Sequence, residues 1–250
     1  MKIYNSYPRK LEEFKPKIKG KVTIYVCGIT PYDTTHLGHA FTYISFDALI
    51  RFLLFSGYQV TYIQNVTDIN DRDKDILEKA REQRISWQKL SKFWTGKFLE
   101  NMRALNWIFP TQLKNASESI PEMINLIKKL LQKKLAYQVN NSVYLNIQKC
   151  PSFGKLSRFS KTQMIKKALE FEEDLDNPEK NNPLDITLWR GATHNQPKHI
   201  PSFPSPWGFG RPGWHIECSA ISTSALGDQI DIHGGGSDLI FPHHEAEIVQ

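Results

Sequence analysis

Lys21-Val-Thr-Ile-Tyr-Val-Cys27, then Gly28-Ile-Thr-Pro-Tyr-Asp-Thr-Thr35, His36-Leu-Gly-His39 and Tyr58-Gln-Val-Thr-Tyr-Ile-Gln64, is the stretch that decides the fold. Its first segment is short, β-branched and aromatic, and glycines bound it, as in a buried strand. Ala40 to Phe55 carries apolar residues at helical spacing, among them Tyr43, Ala48, Leu49 and Phe52. Tyr58 to Gln64 reads as a second strand. Strand, helix and strand in so short a span make a βαβ unit, which implies a parallel sheet. Ligands of such sheets sit at the carboxyl ends of the strands. Cys27 occupies one such end and Asn65-Val-Thr-Asp68 the next. The helix start at His36-Leu-Gly-His39 offers free N–H groups and a positive dipole end, which suits phosphate. His36 and His39 can donate hydrogen bonds to phosphate oxygens as charge grows on them. Gly38 would let a base or ribose lie against the main chain.

The far end of the chain holds the other concentration of reactive groups. Gly213-Trp-His-Ile-Glu-Cys218, Asp231-Ile-His-Gly-Gly-Gly-Ser-Asp238 and Phe241-Pro-His-His-Glu-Ala-Glu247 carry a cysteine, four histidines and several carboxylates around three glycines. Cys218 is a thiolate candidate. His243 and Glu247 are four residues apart and share a helical face. Pro242 suits the first turn of that helix. A thiolate, an imidazole and a carboxylate are three ligands that Zn²⁺ accepts. The fourth comes from elsewhere, and the other cysteines are Cys27 and Cys150. Cys27 already sits where a ligand site belongs, whereas Cys150, before Pro151, reads as a bystander. Cys27, Cys218, His243 and Glu247 are therefore expected to form one tetrahedral zinc site at the sheet's carboxyl edge, with His36 and His39 at an adjacent phosphate site. The glycines Gly234 to Gly236 imply close approach of something to the main chain.

The rest of the chain is ordinary globular material: 250 residues, 40% hydrophobic, formal charge +6. That suffices for one large domain or a domain with an insertion. The basic balance permits a polyanionic partner without demanding one. Three cysteines with no tight pair fit a reducing, cytosolic setting. The N-terminus has no apolar signal core, and no apolar run is expected to span a bilayer. Asp71 to Asn106 and Ser117 to Leu135 show helical spacing, and Lys128, Lys129, Lys133 and Lys134 form a solvated face. Tyr137 to Ile147 is strand-rich around an Asn140-Asn141 turn. Glu170 to Pro183 reads as an exposed acidic loop, and Asp185 to Gly191 as a strand returning to the sheet. The expected organisation is a Rossmann-like first half over 1–110, an insertion over 111–183 and a second half over 184–250.

These motifs together resemble the catalytic half of the class I cysteinyl-tRNA synthetases, over nearly the whole chain. The resemblance implies an α/β Rossmann-like catalytic domain with an inserted connective-peptide domain. It implies ligase activity in which zinc-bound L-cysteine is activated by ATP, with Mg²⁺, to cysteinyl-adenylate, and pyrophosphate leaves. The acyl group then passes to the 3′-terminal ribose at the acceptor end of tRNA(Cys). One zinc per chain on Cys27, Cys218, His243 and Glu247 is implied, as are catalytic His36 and His39. ATP or adenylate would meet Gly28, Thr30, His36, Gly38, His39, Gly234, Gly235, Gly236 and Asp238. Cysteine would meet Thr42, Asn65, Thr67, Trp214 and His233. A cytoplasmic monomer without membrane contact is implied. The family's Lys-Met-Ser-Lys-Ser loop does not occur here, and the chain is read as a piece that stops at Gln250 in mid-helix, ahead of that loop and an anticodon-binding domain. Ile69-Asn-Asp-Arg-Asp-Lys-Asp-Ile76 is longer than the family's Asp-rich turn.

Two other readings stay open. Cys27-Gly-Ile-Thr-Pro-Tyr-Asp33 and Trp207-Gly-Phe-Gly-Arg-Pro-Gly-Trp214 are also similar to a sister family, the cysteine ligase of mycothiol biosynthesis, which joins cysteine to a glucosaminyl-inositol amine. His233 before the glycines and Glu247 side with the synthetases. The reading from another class is an inactive, zinc-stabilised, synthetase-like binding module.

Overall fold

The structure, a computed structural model, describes residues 1–250. A hairpin of β1 (Lys2–Asn5) and β2 (Lys10–Glu13) opens the chain. Then comes the βαβ unit: β3 (Lys21–Ile29), α1 (Leu37–Phe55) and β4 (Gln59–Val66). β3 and β4 pair in parallel from Lys21 with Gln59 onward, with an irregularity between Val26 and Ile29. Helices α2 (Ile76–Glu82) and α3 (Trp87–Ala104) lead to β5 (Gln112–Asn115), which joins β4 in parallel. After α4 (Ile120–Gln132) the chain builds a hairpin of β6 (Ala136–Val139) and β7 (Ser142–Leu145), turning at Asn140-Asn141 as expected. Helix α5 (Lys161–Glu170), β8 (Ile186–Gly191), β9 (Gly210–Pro212) and α6 (Trp214–Leu226) follow. The last elements are β10 (Ile232–Gly234) and α7 (His243–Val249).

Two sheets result. The parallel one has the order β10-β3-β4-β5, and the antiparallel one β6-β7-β8-β9. This corrects one expectation: Ile186–Gly191 does not return to the parallel sheet but pairs antiparallel with β7 and β9. The parallel sheet instead takes Gln112–Asn115, inside the stretch assigned to the insertion, and the late strand Ile232–Gly234. Both are three or four residues long, too short for alternation to reveal them.

The parallel sheet is buried on both faces. Val22, Ile24 and Val26 pack with Tyr43, Ile50 and Leu53 of α1 and with Phe98 and Met102 of α3. Tyr25, Cys27 and Ile63, on the opposite face, pack with Ile216, Cys218 and Ala246 of α6 and α7. The pleat thus sends Cys27 toward the last two helices and Val26 toward the first. Helix α1, 19 residues, has the length and apolar composition of a membrane-crossing segment, so the expectation that no such run exists fails on composition. Its buried side packs on the sheet, and it carries the Asp47–Arg51 ion pair at 2.7 Å.

Two glycines make the sheet edge possible. A Cβ on Gly28 would lie 1.6 Å from the Asn65 carbonyl oxygen, and one on Gly213 would lie 1.9 Å from that of Thr187. No side-chain adjustment relieves a collision with backbone. Gly28→Ala is expected to destabilise the chain by at least about 3 kcal/mol or to prevent folding, as overpacking against an immobile neighbour does. Gly96→Ala, on exposed α3 with nothing within 4 Å of the added Cβ, is expected to be neutral or to stabilise by up to about 1 kcal/mol. Urea unfolding of the two variants checks both.

Candidate functional site

β3 delivers Cys27 to the carboxyl edge of the parallel sheet, where α6 and α7 meet it. One turn of α7 puts His243 and Glu247 on the same face, as their spacing predicts. Pro242 caps that helix rather than lying inside it. The donor atoms of Cys27, Cys218, His243 and Glu247 all lie within 4.8 Å of one another. His243 Nε2 is 3.3 Å from Cys218 Sγ and 3.2 Å from Glu247 Oε1, and Cys27 Sγ is 3.6 Å from the same oxygen. Zinc bonds of about 2.0–2.3 Å in a tetrahedron would set such donors about 3.3–3.8 Å apart. Two thiols, an imidazole and a carboxylate suit that ion. Glu247 Oε2, shielded from solvent, has no aligned hydrogen-bond donor, although His233 Nε2 stands 2.6 Å away. The cluster therefore fits a small cation. A second set, Cys27, His233, His244 and Glu247, meets the same 4.8 Å limit on the side facing the cleft.

Without an ion the four groups must neutralise one another. Burial pushes the Cys27 thiol well above its ordinary range. Burial also works against the Cys218 thiolate, but the Cys27 thiol and the His243 charge outweigh it and bring Cys218 down to about 6. His243 is driven down by burial and up by Glu247 and Cys218, ending at about 10. Glu247 stays well below the carboxylate range, because His233 and His243 overcome its burial. Burial drives His244 down to about 3, leaving it neutral.

Around these four residues lies a layer that sequence reasoning missed. His243 Nδ1 is 2.9 Å from His215 Nδ1, and His215 Nε2 is 3.1 Å from Glu173 Oε1. Arg72 reaches the same Glu173 oxygen at 3.0 Å and lies 4.0 Å over the Trp214 ring. Glu173 is no exposed loop residue: its side chain is 14% exposed, and His215 and Arg72 overcome its burial to hold it at about 2. The long Asp-rich turn after Asp68 is what binds these parts. Asp71 accepts from the Trp214 N–H at 2.9 Å, Arg72 meets Glu173 and Asp73 meets Arg211 at 2.6 Å. Glu245 accepts from the main-chain N–H groups of Gly154, Leu156 and Ser157 at 2.7, 3.2 and 2.8 Å. The only sequence signal for these residues was proximity of His215 and His244 to ligand candidates.

The predicted nucleotide side is assembled in part. His36 caps α1, its Nδ1 accepting from the His39 N–H at 3.3 Å, and the two rings stack at 3.7 Å. A Cβ on Gly38 would stand 3.0 Å from the His36 ring, so a side chain there would press on the folded-back cap. The three glycines do face close neighbours: Phe46 at Gly234, His244 at Gly235 and Asp238 at Gly236. A cleft of about 660 Å³ runs along Gly234–Gly236, His233, His244 and Phe46 toward the N-terminal hairpin. Thr30 follows β3 in the loop that leads to α1, and Thr42 donates to the Gly38 carbonyl within α1 at 3.0 Å. Asn65 is fully buried with both polar ends occupied, one accepting from Gly28 N–H at 2.7 Å and the other donating to Thr67 at 3.0 Å. That makes it a brace between strands rather than a free ligand contact. Cys150 lies apart, its thiol 3.5 Å from the Asn146 carbonyl.

Comparison with known proteins agrees with this geometry. The family model described as the tRNA synthetases class I (C) catalytic domain matches residues 13–250. The cysteine–tRNA ligase of Dehalococcoides mccartyi (strain BAV1) is 49% identical over 251 residues, covering 100% of this chain and 52% of the relative. That of Thermococcus kodakarensis is 46% identical over 252 residues, covering 100% and 50%. The chloroplastic/mitochondrial cysteine–tRNA ligase of Arabidopsis thaliana is 42% identical over 248 residues, covering 99% and 42%. The chain thus spans about half the length of the curated relatives it matches. In fold it is similar to Mycobacterium tuberculosis methionyl-tRNA synthetase in complex with methionyl-adenylate, with a TM-score of 0.61 at 12% identity, covering 92% of this chain and 55% of that one.

The charge pattern makes a direct prediction for the metal-free protein. Ultraviolet thiolate absorbance should rise by one cysteine with a midpoint near pH 6. The other two thiols, both raised, should stay protonated to at least about pH 9. Cys218→Ser should abolish the early step and leave the later rise.

Proposed function

We propose, on the premise that this chain belongs to the tRNA synthetases class I (C) catalytic-domain family, that it is the catalytic region of a cysteine–tRNA ligase. The observation that carries the proposal is the meeting of Cys27 with Cys218, His243 and Glu247 at the sheet's carboxyl edge, beside a cleft bordered by the three glycines. These four residues would hold one zinc ion, which when bound supplies an electrophilic position that prefers sulfur to a hydroxyl or methyl group. A site of that kind supports selection of cysteine over serine and alanine without editing.

The remaining chemistry is positioning and electrostatics. The carboxylate of L-cysteine attacks the α-phosphorus of ATP, supplied with Mg²⁺, and pyrophosphate leaves. His36, His39 and the free N–H groups at the start of α1 take up the charge that grows on the phosphoryl oxygens. Gly28, Thr30, Gly38, the Gly234–Gly236 main chain and Asp238 would border the nucleotide. Trp214 and His233 would close on the amino acid, with Thr42 and Thr67 nearby and Asn65 holding the Gly28 main chain in place. The acyl group then passes to the terminal ribose of tRNA(Cys). A monomer in the cytoplasm suits this reading. The insertion would occupy 111–183 between halves at 1–110 and 184–250, with β5 as a parallel-sheet strand at its entrance. The names of the relatives support this reading and lend nothing to the amino-sugar ligase or to the inactive module.

Cysteine-dependent ATP–pyrophosphate exchange tests the activity, and exchange that ignores cysteine would overturn it. His36→Ala and His39→Ala should each slow exchange roughly 100- to 1,000-fold, with zinc content unchanged. Zinc binding has its own signature. In the free site Cys27 carries a proton and His243 carries two, so binding must expel two protons. The sign follows: ligands deprotonated only in the bound state make affinity climb with pH, by about two log units per unit between roughly pH 7 and 8. Chelator competition across that range measures the slope.

A further inference from the structure

The chain His243–His215–Glu173–Arg72 is closed at both ends and crosses four segments far apart in sequence. His243 is buried at 1% exposure and His215 at 2%. Their Nδ1 atoms face each other at 2.9 Å, and one of the two must carry the shared proton. His215 has only one other ring nitrogen, and it points at the Glu173 carboxylate at 3.1 Å. A carboxylate accepts and cannot donate, so His215 Nε2 must carry hydrogen. With its one hydrogen on Nε2, the neutral His215 ring has Nδ1 free as an acceptor. His243 Nδ1 must therefore be the donor. The consequence falls on the other side of the His243 ring: in its neutral form Nε2 bears the lone pair, and Nε2 is the atom beside Cys218 and Glu247.

We infer that Glu173, acting through His215 and held by Arg72, is a positioning residue that fixes the tautomer and orientation of His243 for metal binding. Arg72 serves this twice. It pins one Glu173 oxygen at 3.0 Å, and its guanidinium covers the Trp214 ring, which in turn lies 4.5 Å from the His243 ring and 4.8 Å from that of His215. His243 is thereby held by a hydrogen bond at one edge and by an indole on its face. The chain also links the proposed metal to the 171–184 segment, since Glu173 stands between α5 and β8. A carboxylate behind a ligating imidazole typically contributes 10- to 100-fold to metal affinity. This inference rests on the zinc reading above.

The test uses the whole 250-residue chain, with zinc and cobalt(II) as probes. Glu173→Leu removes the acceptor, and Glu173→Gln keeps the volume and an acceptor oxygen without the charge. Zinc affinity by competition with a colorimetric chelator should fall about 100-fold for Glu173→Leu and about 10-fold for Glu173→Gln. The ligand-field bands of the cobalt-loaded protein should shift in the leucine variant and return toward wild type in the glutamine variant. Glu172→Gln, which alters the surface pair with Lys74, should leave both readouts unchanged. Affinity within twofold of wild type in a folded Glu173→Leu chain would overturn the inference while leaving the zinc reading intact. Should that variant not fold, unchanged affinity in Glu173→Gln overturns it. Wild-type chain that retains no zinc removes the metal reading itself, a result distinct from both.

Discussion

Glu247 is the constraint on which the rest depends. Its side chain is 6% exposed, and it lies within 3.6 Å of Cys27, His233 and His243 at once. A carboxylate taken out of water is costly unless charged partners meet it, and removing one partner leaves the other stranded. Glu247 therefore dictates where β3, β10 and α7 stand relative to one another, because each delivers one of those partners. The strands cannot slide without unpairing it. The site and the fold are stabilised by the same contacts, which is why chemistry from residue 27 and residue 247 can share one small volume.

Close backbone approach is the second requirement, and glycine supplies it at the places where a side chain would separate the parts. Gly28 lets the end of β3 lie against Asn65, and Gly213 lets the start of α6 lie against β8. The first keeps Cys27 level with the end of β4. The second sets Cys218 at the depth of Cys27, since Gly28 follows Cys27 within β3 and Gly213 caps the helix that carries Cys218. Gly234 admits the Phe46 ring, which ties the late strand β10 to α1.

Much of this was legible in the sequence, and the failures have physical causes. The βαβ unit was readable because β3 is a short β-branched and aromatic run and α1 a longer segment with apolar residues at helical spacing. The meeting of Cys27, Cys218, His243 and Glu247 was readable because His243 and Glu247 obey helical spacing and Cys27 lies near the end of a strand. Helix α6 gave no such signal. It is buried on nearly every side from His215 to Ser222, so it has no polar face to contrast with an apolar one. Glu173 read as surface because its stretch is acidic, yet its burial is decided by Arg72 and His215, 101 and 42 residues away. Composition reports what a segment would do alone, and a buried ion pair is a property of two segments. Gly38 was read for its lack of a side chain, and the folded-back His36 ring 3.0 Å from where a Cβ would stand is a close neighbour that reading did not foresee.

Helix α7 shows how the parts combine. Seven residues are too few to hold a helix in water, so its geometry must come from what it grips. His243 faces His215 and Cys218, Glu245 holds three main-chain N–H groups of the Gly154–Ser157 turn, and Glu247 holds the sheet edge. Alternate residues of one short element thus anchor three separate regions. A displacement of the Gly154–Ser157 turn would pull on Glu245 and, one turn of backbone away, rotate His243 and Glu247 out of register with the cysteines. The precision of the candidate metal centre is therefore set as much by a loop that carries no ligand as by the strands that do.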